Sequence, residues 1–167
     1  RGKVLYTNVL HFKELEEMAR ISKTLNKSDD PDKFLQLSKK VKAEINKRFW
    51  NGNFYADWIE SKKRENYFSS AGNALAALWL ADSTKIRRIK STIKKFKLDK
   101  TFALKSVHPP YPLTKIYVPN ILLGFADYHT GMLWPWISCL YAVALKKYDT
   151  EEAIKVIEKI SLKIIEH

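Results

Sequence analysis

Residues 127–136, DYHTGMLWPW, place an aspartate, a histidine and two tryptophans close together in the chain. A second segment, residues 50–59 with the sequence WNGNFYADWI, places Asp57 among further aromatic residues. Aromatic rings offer flat faces to C–H groups, and carboxylates and imidazoles form hydrogen bonds with hydroxyl groups, so this combination suits a sugar. The composition is about equally compatible with aromatic side chains that only close the end of a helical core.

Few residues could act as acids, bases or nucleophiles. Asp57 and Asp127 are the acids best placed to form a catalytic pair, although an aspartate in either position is more often a hydrogen-bonded structural residue. Ser70 and Ser138 lack the strand-turn-helix context of a nucleophilic serine. The four histidines and one cysteine show no metal-binding spacing, and no glycine-rich phosphate loop is present. We therefore predict no metal and no cofactor.

The length and composition predict one soluble domain over residues 1–167, since 46% of the residues are apolar and 29% are charged. The net charge of +12 raises the question of nucleic acid. The lysine-rich stretches 39–48, 85–97 and 159–167 keep apolar residues at helical spacing, which favours solvated faces of amphipathic helices over a nucleic-acid or membrane surface. The single cysteine, Cys139, lies in an apolar run and is predicted to be buried and unpaired, as in a cytoplasmic protein.

Hydrophobic periodicity predicts six helices, over about 7–25, 31–49, 68–82, 84–98, 131–148 and from 149 onward. The helices over 68–82 and 131–148 are uncharged through their middles, whereas the helices that follow them are lysine-rich and apolar on one side. A helix that is apolar all round must be enclosed by neighbours. The alternation predicts an all-α fold of three hairpins, each an inner helix followed by an outer one, as in a toroid. The first helix, with KELEE at its centre, fits the inner role least well.

Two long loops lead into the amino-terminal ends of the uncharged helices, so their side chains should converge on one rim. The first contains Asn51–Gly52, a tight-turn signal, and predicts a short β-hairpin. The second covers about thirty residues, 101–130, and contains four prolines; a loop of this length in a compact domain is usually functional. The predicted rim consists of Trp50, Tyr55, Asp57, Trp58, His108, Tyr111, Asp127, Tyr128, His129, Trp134 and Trp136.

Residues 128–135 resemble a motif of glycogen-debranching amylo-alpha-1,6-glucosidases and related (α/α)6-barrel glycoside hydrolases. The motif has tyrosine, histidine, a polar residue and glycine, followed by tryptophan-proline. Further segments are similar to this family, 1–15 and 50–59 followed by 71–78, so the resemblance covers nearly the whole chain. Tyr6 and His11 depart from it, because the family tends to have glutamate and tryptophan there. The matching residues are Gly2, Lys3, Asn8, Leu10, Asp57, Asn73, Tyr128, His129, Gly131, Trp134 and Pro135.

The resemblance implies part of an (α/α)6 toroid, about half of six hairpins, in an inverting hydrolase of α-glucosidic oligo- or polysaccharides. It places the general acid just before Gly2 and the general base after the last outer helix, outside this chain. The catalytic residues of the chain itself are then unknown, with Asp57 and Asp127 as the fallback pair. Companion segments of the same barrel, or a second copy, would complete the ring. The residues expected to bind substrate are Asn8, Trp50, Asp57, Trp58, Asp127, His129, Trp134 and Trp136.

Four other interpretations stay open at this point. The chain could be an enzyme complete in itself, with Asp57 and Asp127 as acid and base. It could be a non-catalytic helical module that binds a carbohydrate or a partner protein through the aromatic rim, or a basic nucleic-acid binder. A related (α/α)6 activity, such as an invertase, a trehalase-like enzyme or a sugar epimerase, is also compatible, since a fold does not determine a reaction.

Overall fold

The computed structural model describes residues 3–25, 31–128 and 130–166. These ranges contain seven α-helices and five short strands. The helices are α1 (Leu5–Thr24), α2 (Pro31–Phe49), α3 (Ser70–Trp79), α4 (Ser83–Lys95), α5 (Val118–Leu122), α6 (Pro135–Leu145) and α7 (Thr150–Ile165). The strands are β1 (Lys3–Val4), β2 (Trp58–Glu60), β3 (Lys63–Glu65), β4 (Phe68–Ser69) and β5 (Val107–His108).

The helices form two layers. α1, α3 and α6 lie side by side, and α2, α4 and α7 pack against α1, α3 and α6 respectively. The mostly helical fold and its short antiparallel hairpin are therefore confirmed. α1, the helix whose charges suit an inner position least, lies directly beside α3, and the two approach closely at Gly72. A Cβ atom on Gly72 would stand 2.8 Å from Cδ2 of the buried Leu5.

Local signals account for the helix ends. Asp149 precedes α7 and its side chain accepts a hydrogen bond of 3.0 Å from the backbone N–H of Glu152, so Asp149 caps the helix. Pro135 occupies the first turn of α6, where its missing N–H leaves no hydrogen bond unmade. The uncharged α3 is enclosed, with seven of its ten residues buried.

The predicted hairpin is present in the first long loop, but its turn differs from the expected one. β2 and β3 pair antiparallel, and β1 adds a third strand beside β2. Residues Ser61 and Lys62 close the hairpin, with positive φ angles of 47° and 68°. Asn51–Gly52 instead makes a separate tight turn, closed by a single bridge between Trp50 and Tyr55.

Replacing Ser61–Lys62 with Asn–Gly is expected to raise the free energy of unfolding by about 0.5–1 kcal/mol. Both positions have left-handed backbone angles that a side chain with a Cβ adopts at a cost, and Asn–Gly is the preferred pair in such two-residue turns. Urea unfolding of the full-length protein measures the change. Lys63→Gly, in the adjoining strand, is the control and should lower stability. An equal loss in both variants would contradict the prediction.

Tyr141, on α6, is 2% exposed, and its hydroxyl has no hydrogen-bond partner among the described residues. Tyr141→Phe is therefore expected to leave the free energy of unfolding unchanged or to raise it by about 1 kcal/mol, because a buried unpaired hydroxyl destabilises a fold. Tyr55→Phe is the matched control. The buried Tyr55 donates its hydroxyl to Asn46 Oδ1 at 2.7 Å, so its loss should cost about 1 kcal/mol. Similar losses in the two variants would show that Tyr141 has a partner.

One side of α6 is exposed, and the prediction that Cys139 is buried is wrong. Cys139 lies on a helical stripe with Trp136, which is 45% exposed, and Val143, which is 53% exposed. Neighbouring α7 likewise exposes Ile154 and Ile157. The apolar run around Cys139 predicted an enclosed helix, but no described element covers this side of the layer. No helix in the described ranges is long and apolar enough to cross a membrane.

Candidate functional site

A cavity of about 1140 Å³ opens at the amino-terminal ends of α1, α3 and α6. Residues beside all three helix starts line it, together with residues from the two long loops. Aromatic side chains provide much of its wall. The lining consists of Val4, Tyr6, Asp57, Trp58, Glu60, Ser69, Ala71, Ser106, Val107, Tyr111, Lys115, Ile116, Tyr117, Asn120, Ala126, Tyr128, Trp134, Trp136 and Ile137.

Asp57 is the buried acid of this cavity, with 5% of its surface exposed. Its backbone is tied on both sides, because its carbonyl accepts a hydrogen bond of 2.7 Å from Leu5 N and its N–H donates to Tyr67 O at 3.1 Å. The Tyr111 hydroxyl donates to carboxylate oxygen Oδ2. Burial raises the pKa of Asp57 to about 6, and the bond from Tyr111 opposes that rise. Asp57 can thus accept hydrogen bonds from hydroxyl groups and can carry a proton near neutral pH.

The turn that carries Asp57 is held by Asn73, a fully buried residue of α3. Asn73 Oδ1 accepts a hydrogen bond from Tyr55 N at 2.9 Å, and Nδ2 donates to Tyr55 O at 2.9 Å and to Ser69 O at 3.0 Å. One amide side chain therefore satisfies both backbone groups of Tyr55. Since Asp57 follows Tyr55 by two residues, its position in the cavity wall depends on this amide.

Tryptophans at the start of α6 form another part of the wall. Trp134 meets the ring of Tyr128 edge-on, with ring centroids 5.1 Å apart. Trp136 lies two residues further and lines the cavity with 45% of its surface exposed. Trp58 lines the cavity from β2, and one of its faces is covered by the stacked ring of Tyr67 at 5.1 Å. Trp136 therefore offers the most accessible surface of these three tryptophans.

Of the residues expected to bind substrate, Asp57, Trp58, Trp134 and Trp136 line the cavity. Three others do not, because local contacts direct them elsewhere. Asn8 donates to Val4 O at 2.7 Å, Trp50 packs edge-on against Tyr55 at 4.9 Å, and Asp127 Oδ1 accepts from the Thr130 hydroxyl at 3.2 Å within a turn. His129 lies outside the described residues. The structure thus does not bring Asp57 and Asp127 together in the cavity.

The two serines weighed as nucleophiles and the rim histidine His108 have structural partners. Ser70 Oγ donates to Lys105 O at 2.5 Å, and Ser138 Oγ accepts from Leu104 N at 2.7 Å. His108 stacks on Phe96 with ring centroids 4.1 Å apart and is absent from the cavity lining. Among the described residues, no group of three or more histidine, cysteine or acidic side chains could hold a metal ion.

The candidate list drawn from the sequence missed Glu60, Lys115, Tyr117 and Asn120, which also line the cavity. A signal for Glu60 did exist, because side chains alternate along a strand and Glu60 lies on the same face as Trp58. The other three come from the long loop, and no local pattern shows which of its residues turn toward α3.

The model of the family described as "Amylo-alpha-1,6-glucosidase" matches residues 1–167. The chain belongs to this family. The resemblance indicated by the segments around Asp57 and Trp134 is thereby confirmed.

A solved structure described as "Sialidase" shares the fold of this amylo-alpha-1,6-glucosidase family member. The match has a TM-score of 0.69 at 12% sequence identity, and it covers 90% of this chain and 14% of that chain. Identity this low shows the fold alone, and the chain spans only a small part of that protein's length. No curated protein matches the sequence significantly. The glycosidase family membership thus rests on the family match.

Proposed function

We propose that this chain forms the binding wall of a glycoside hydrolase that acts on an α-glucosidic oligo- or polysaccharide, as in glycogen debranching. The observation that carries the proposal is one open cavity, in a chain of this family, that is lined by the buried residue Asp57 and by the tryptophans Trp58, Trp134 and Trp136. A sugar needs both features, flat apolar faces for its C–H groups and fixed acceptors for its hydroxyls.

The residues divide between these two tasks. Asp57 would accept hydrogen bonds from sugar hydroxyls, with Tyr111 fixing the orientation of its carboxyl. Trp136 would stack on a sugar ring through its exposed face, and Trp134 would form the adjoining wall. A hydroxyl-binding role for His129 stays a prediction.

The proposed reaction is hydrolysis with inversion. One carboxylic acid protonates the leaving oxygen while a second carboxylate activates water on the opposite face of the sugar, the two being about 6.5–9.5 Å apart. We place both groups on segments outside this chain that complete the ring. In support, Asp127 does not line the cavity and therefore does not pair with Asp57 there. A cytoplasmic location is part of the same proposal.

Calorimetric titration of the full-length protein with isomaltose and maltose tests the binding role. Trp136→Ala is expected to weaken binding about fivefold, the loss of about 1 kcal/mol of stacking. Tyr148→Ala is the control, since Tyr148 is 48% exposed and follows the opposite end of α6. Equal affinity in wild type and the Trp136 variant, or no binding by wild type, would refute the assignment.

Release of glucose by the same protein separates the enzyme from a non-catalytic module. Hydrolysis of an α-1,6-linked substrate supports the proposal, whereas sugar binding without hydrolysis supports a carbohydrate-binding module. If Asp57→Asn abolishes hydrolysis and leaves KM unchanged, Asp57 is itself a catalytic acid and the chain contains part of the catalytic pair.

A further inference from the structure

Tyr67 touches both members of the Asp57–Tyr111 pair. Its backbone carbonyl accepts the N–H of Asp57 at 3.1 Å. Its ring meets the ring of Tyr111 edge-on, with centroids 5.0 Å apart and planes at 68°. On another side the ring stacks on Trp58 at 5.1 Å with planes 5° apart, and Trp58 also meets Tyr111 edge-on at 5.5 Å. Tyr67 itself does not belong to the cavity lining.

Lys115 ties the loop that carries Tyr111 to the same hairpin. Lys115 N donates to Pro112 O at 2.8 Å, so the segment after Tyr111 is tightly turned. The Lys115 Nζ atom bonds Glu65 of β3 at 3.1 Å and lies 4.7 Å from the ring centroid of Trp58 and 5.6 Å from that of Tyr67. The Lys115 ammonium group therefore connects the loop to Glu65 and Trp58 of the hairpin and to Tyr67, which follows the hairpin.

These contacts come from separate parts of the chain. The hairpin supplies Trp58 and Glu65, the residue Tyr67 follows it, and the second long loop supplies Tyr111 and Lys115. Pairing of β4 with β5 holds the loop at His108, three residues before Tyr111. The Tyr111 side chain lies beyond that pairing, and its single hydrogen bond, worth about 1 kcal/mol, does not by itself fix the orientation of the side chain.

We propose that Tyr67 and Lys115 are positioning residues that hold the Tyr111 hydroxyl against the Asp57 carboxyl and thereby orient that carboxyl for a sugar. The proposal deepens the proposed function and rests on it for the sugar. The positioning itself is a property of the free protein and can be measured without ligand.

The ligand-free test uses full-length protein labelled with ¹³Cζ-tyrosine. The Tyr111 signal is identified by its loss in Tyr111→Phe, and in wild type it should follow the titration of Asp57 as the pH is raised. Asp57→Asn should abolish this step, which separates it from titration of Glu60, Glu65 or Lys115 nearby. Tyr67→Leu should abolish the step as well, whereas Tyr67→Phe, which keeps the ring, should preserve it.

The ligand-bound test is a double-mutant cycle on isomaltose affinity. Tyr67→Leu is expected to weaken binding about fivefold in the wild-type background and by less than about twofold in the Tyr111→Phe background, because it acts through Tyr111. If wild type binds no sugar, the proposed function fails while the NMR titration still decides the positioning role. If sugar binds and Tyr67→Leu changes neither the titration nor the affinity, the positioning role is refuted.

Lys115→Met is a second test variant, which keeps the proposal testable if the Tyr67→Leu protein does not fold. The Lys115 side chain is 33% exposed, and Lys63→Met, at an exposed lysine of β3, is its matched control. The Lys115 variant should reduce the amplitude of the Tyr111 titration and the Lys63 variant should not. Equal, unreduced amplitudes in both would overturn the proposal.

Discussion

Replacement of Asn73 by alanine is expected to lower the free energy of unfolding by about 3–5 kcal/mol. The substitution removes three hydrogen bonds at a fully buried position and leaves the N–H and C=O of Tyr55 without their partners. Each buried group left unpaired costs about 1–3 kcal/mol.

Urea unfolding of the full-length protein measures this loss, with Asn53→Ala as the control. Asn53 is exposed in the neighbouring turn, and its substitution should change stability by less than about 0.5 kcal/mol. The Asn73 variant should also bind sugar more weakly, because the turn that carries Asp57 is no longer held. A loss no larger than that of the control would mean that the amide does not anchor the turn.

Replacement of Asp57 by asparagine is expected to stabilise the protein by about 3 kcal/mol at pH 8 and by almost nothing at pH 4. The pKa of Asp57 is about 6, against an ordinary value of 3.8. Between these values the native state binds more protons than the unfolded state, so the free energy of unfolding falls as the pH rises. The destabilisation by the ionised carboxyl of Asp57 is absent below about pH 4 and complete above about pH 6. Its size is about 1.4 kcal/mol for each unit by which the pKa is raised. Asparagine keeps an acceptor for Tyr111 and carries no charge.

Unfolding by urea at pH 4 and at pH 8 checks this dependence. Asp127→Asn is the control, because Asp127 is exposed and the same substitution there should give no gain at the higher pH. The Asp57 variant should bind isomaltose more weakly than wild type while being more stable, the expected relation when a buried charge serves function. A gain that is equal at the two pH values would contradict a titrating carboxyl at this position.

The helical framework could be predicted from local patterns. The enclosed α3 follows from an uncharged run, and the start of α7 follows from Asp149 with Glu152 three residues on. The first turn of α6 follows from Pro135. These signals depend on residues within a few positions of one another, where spacing and side-chain type determine the backbone. Local patterns also predicted that Cys139 is buried, whereas it is exposed. Burial depends on which other elements cover a helix, and local spacing does not determine this.

Part of the site could be predicted in the same way. The long loops were predicted to bring their side chains together at one rim. Four of these residues do line the cavity, at β2 and at the start of α6: Asp57, Trp58, Trp134 and Trp136. Asn8 and Trp50 do not line the cavity. Asn8 donates a hydrogen bond to Val4 O instead, and Trp50 packs against the ring of Tyr55.

The sequence by itself determined the family, the six longer helices and a set of candidate site residues that includes Asp57. Only the tertiary structure placed Tyr111 on that carboxyl and Tyr67 and Lys115 around Tyr111. Tyr111 and Asp57 are 54 positions apart, and their contact depends on how a proline-rich loop folds back over a hairpin. A contact of that kind leaves no periodic trace in the chain, because it results from the packing of two irregular segments against each other.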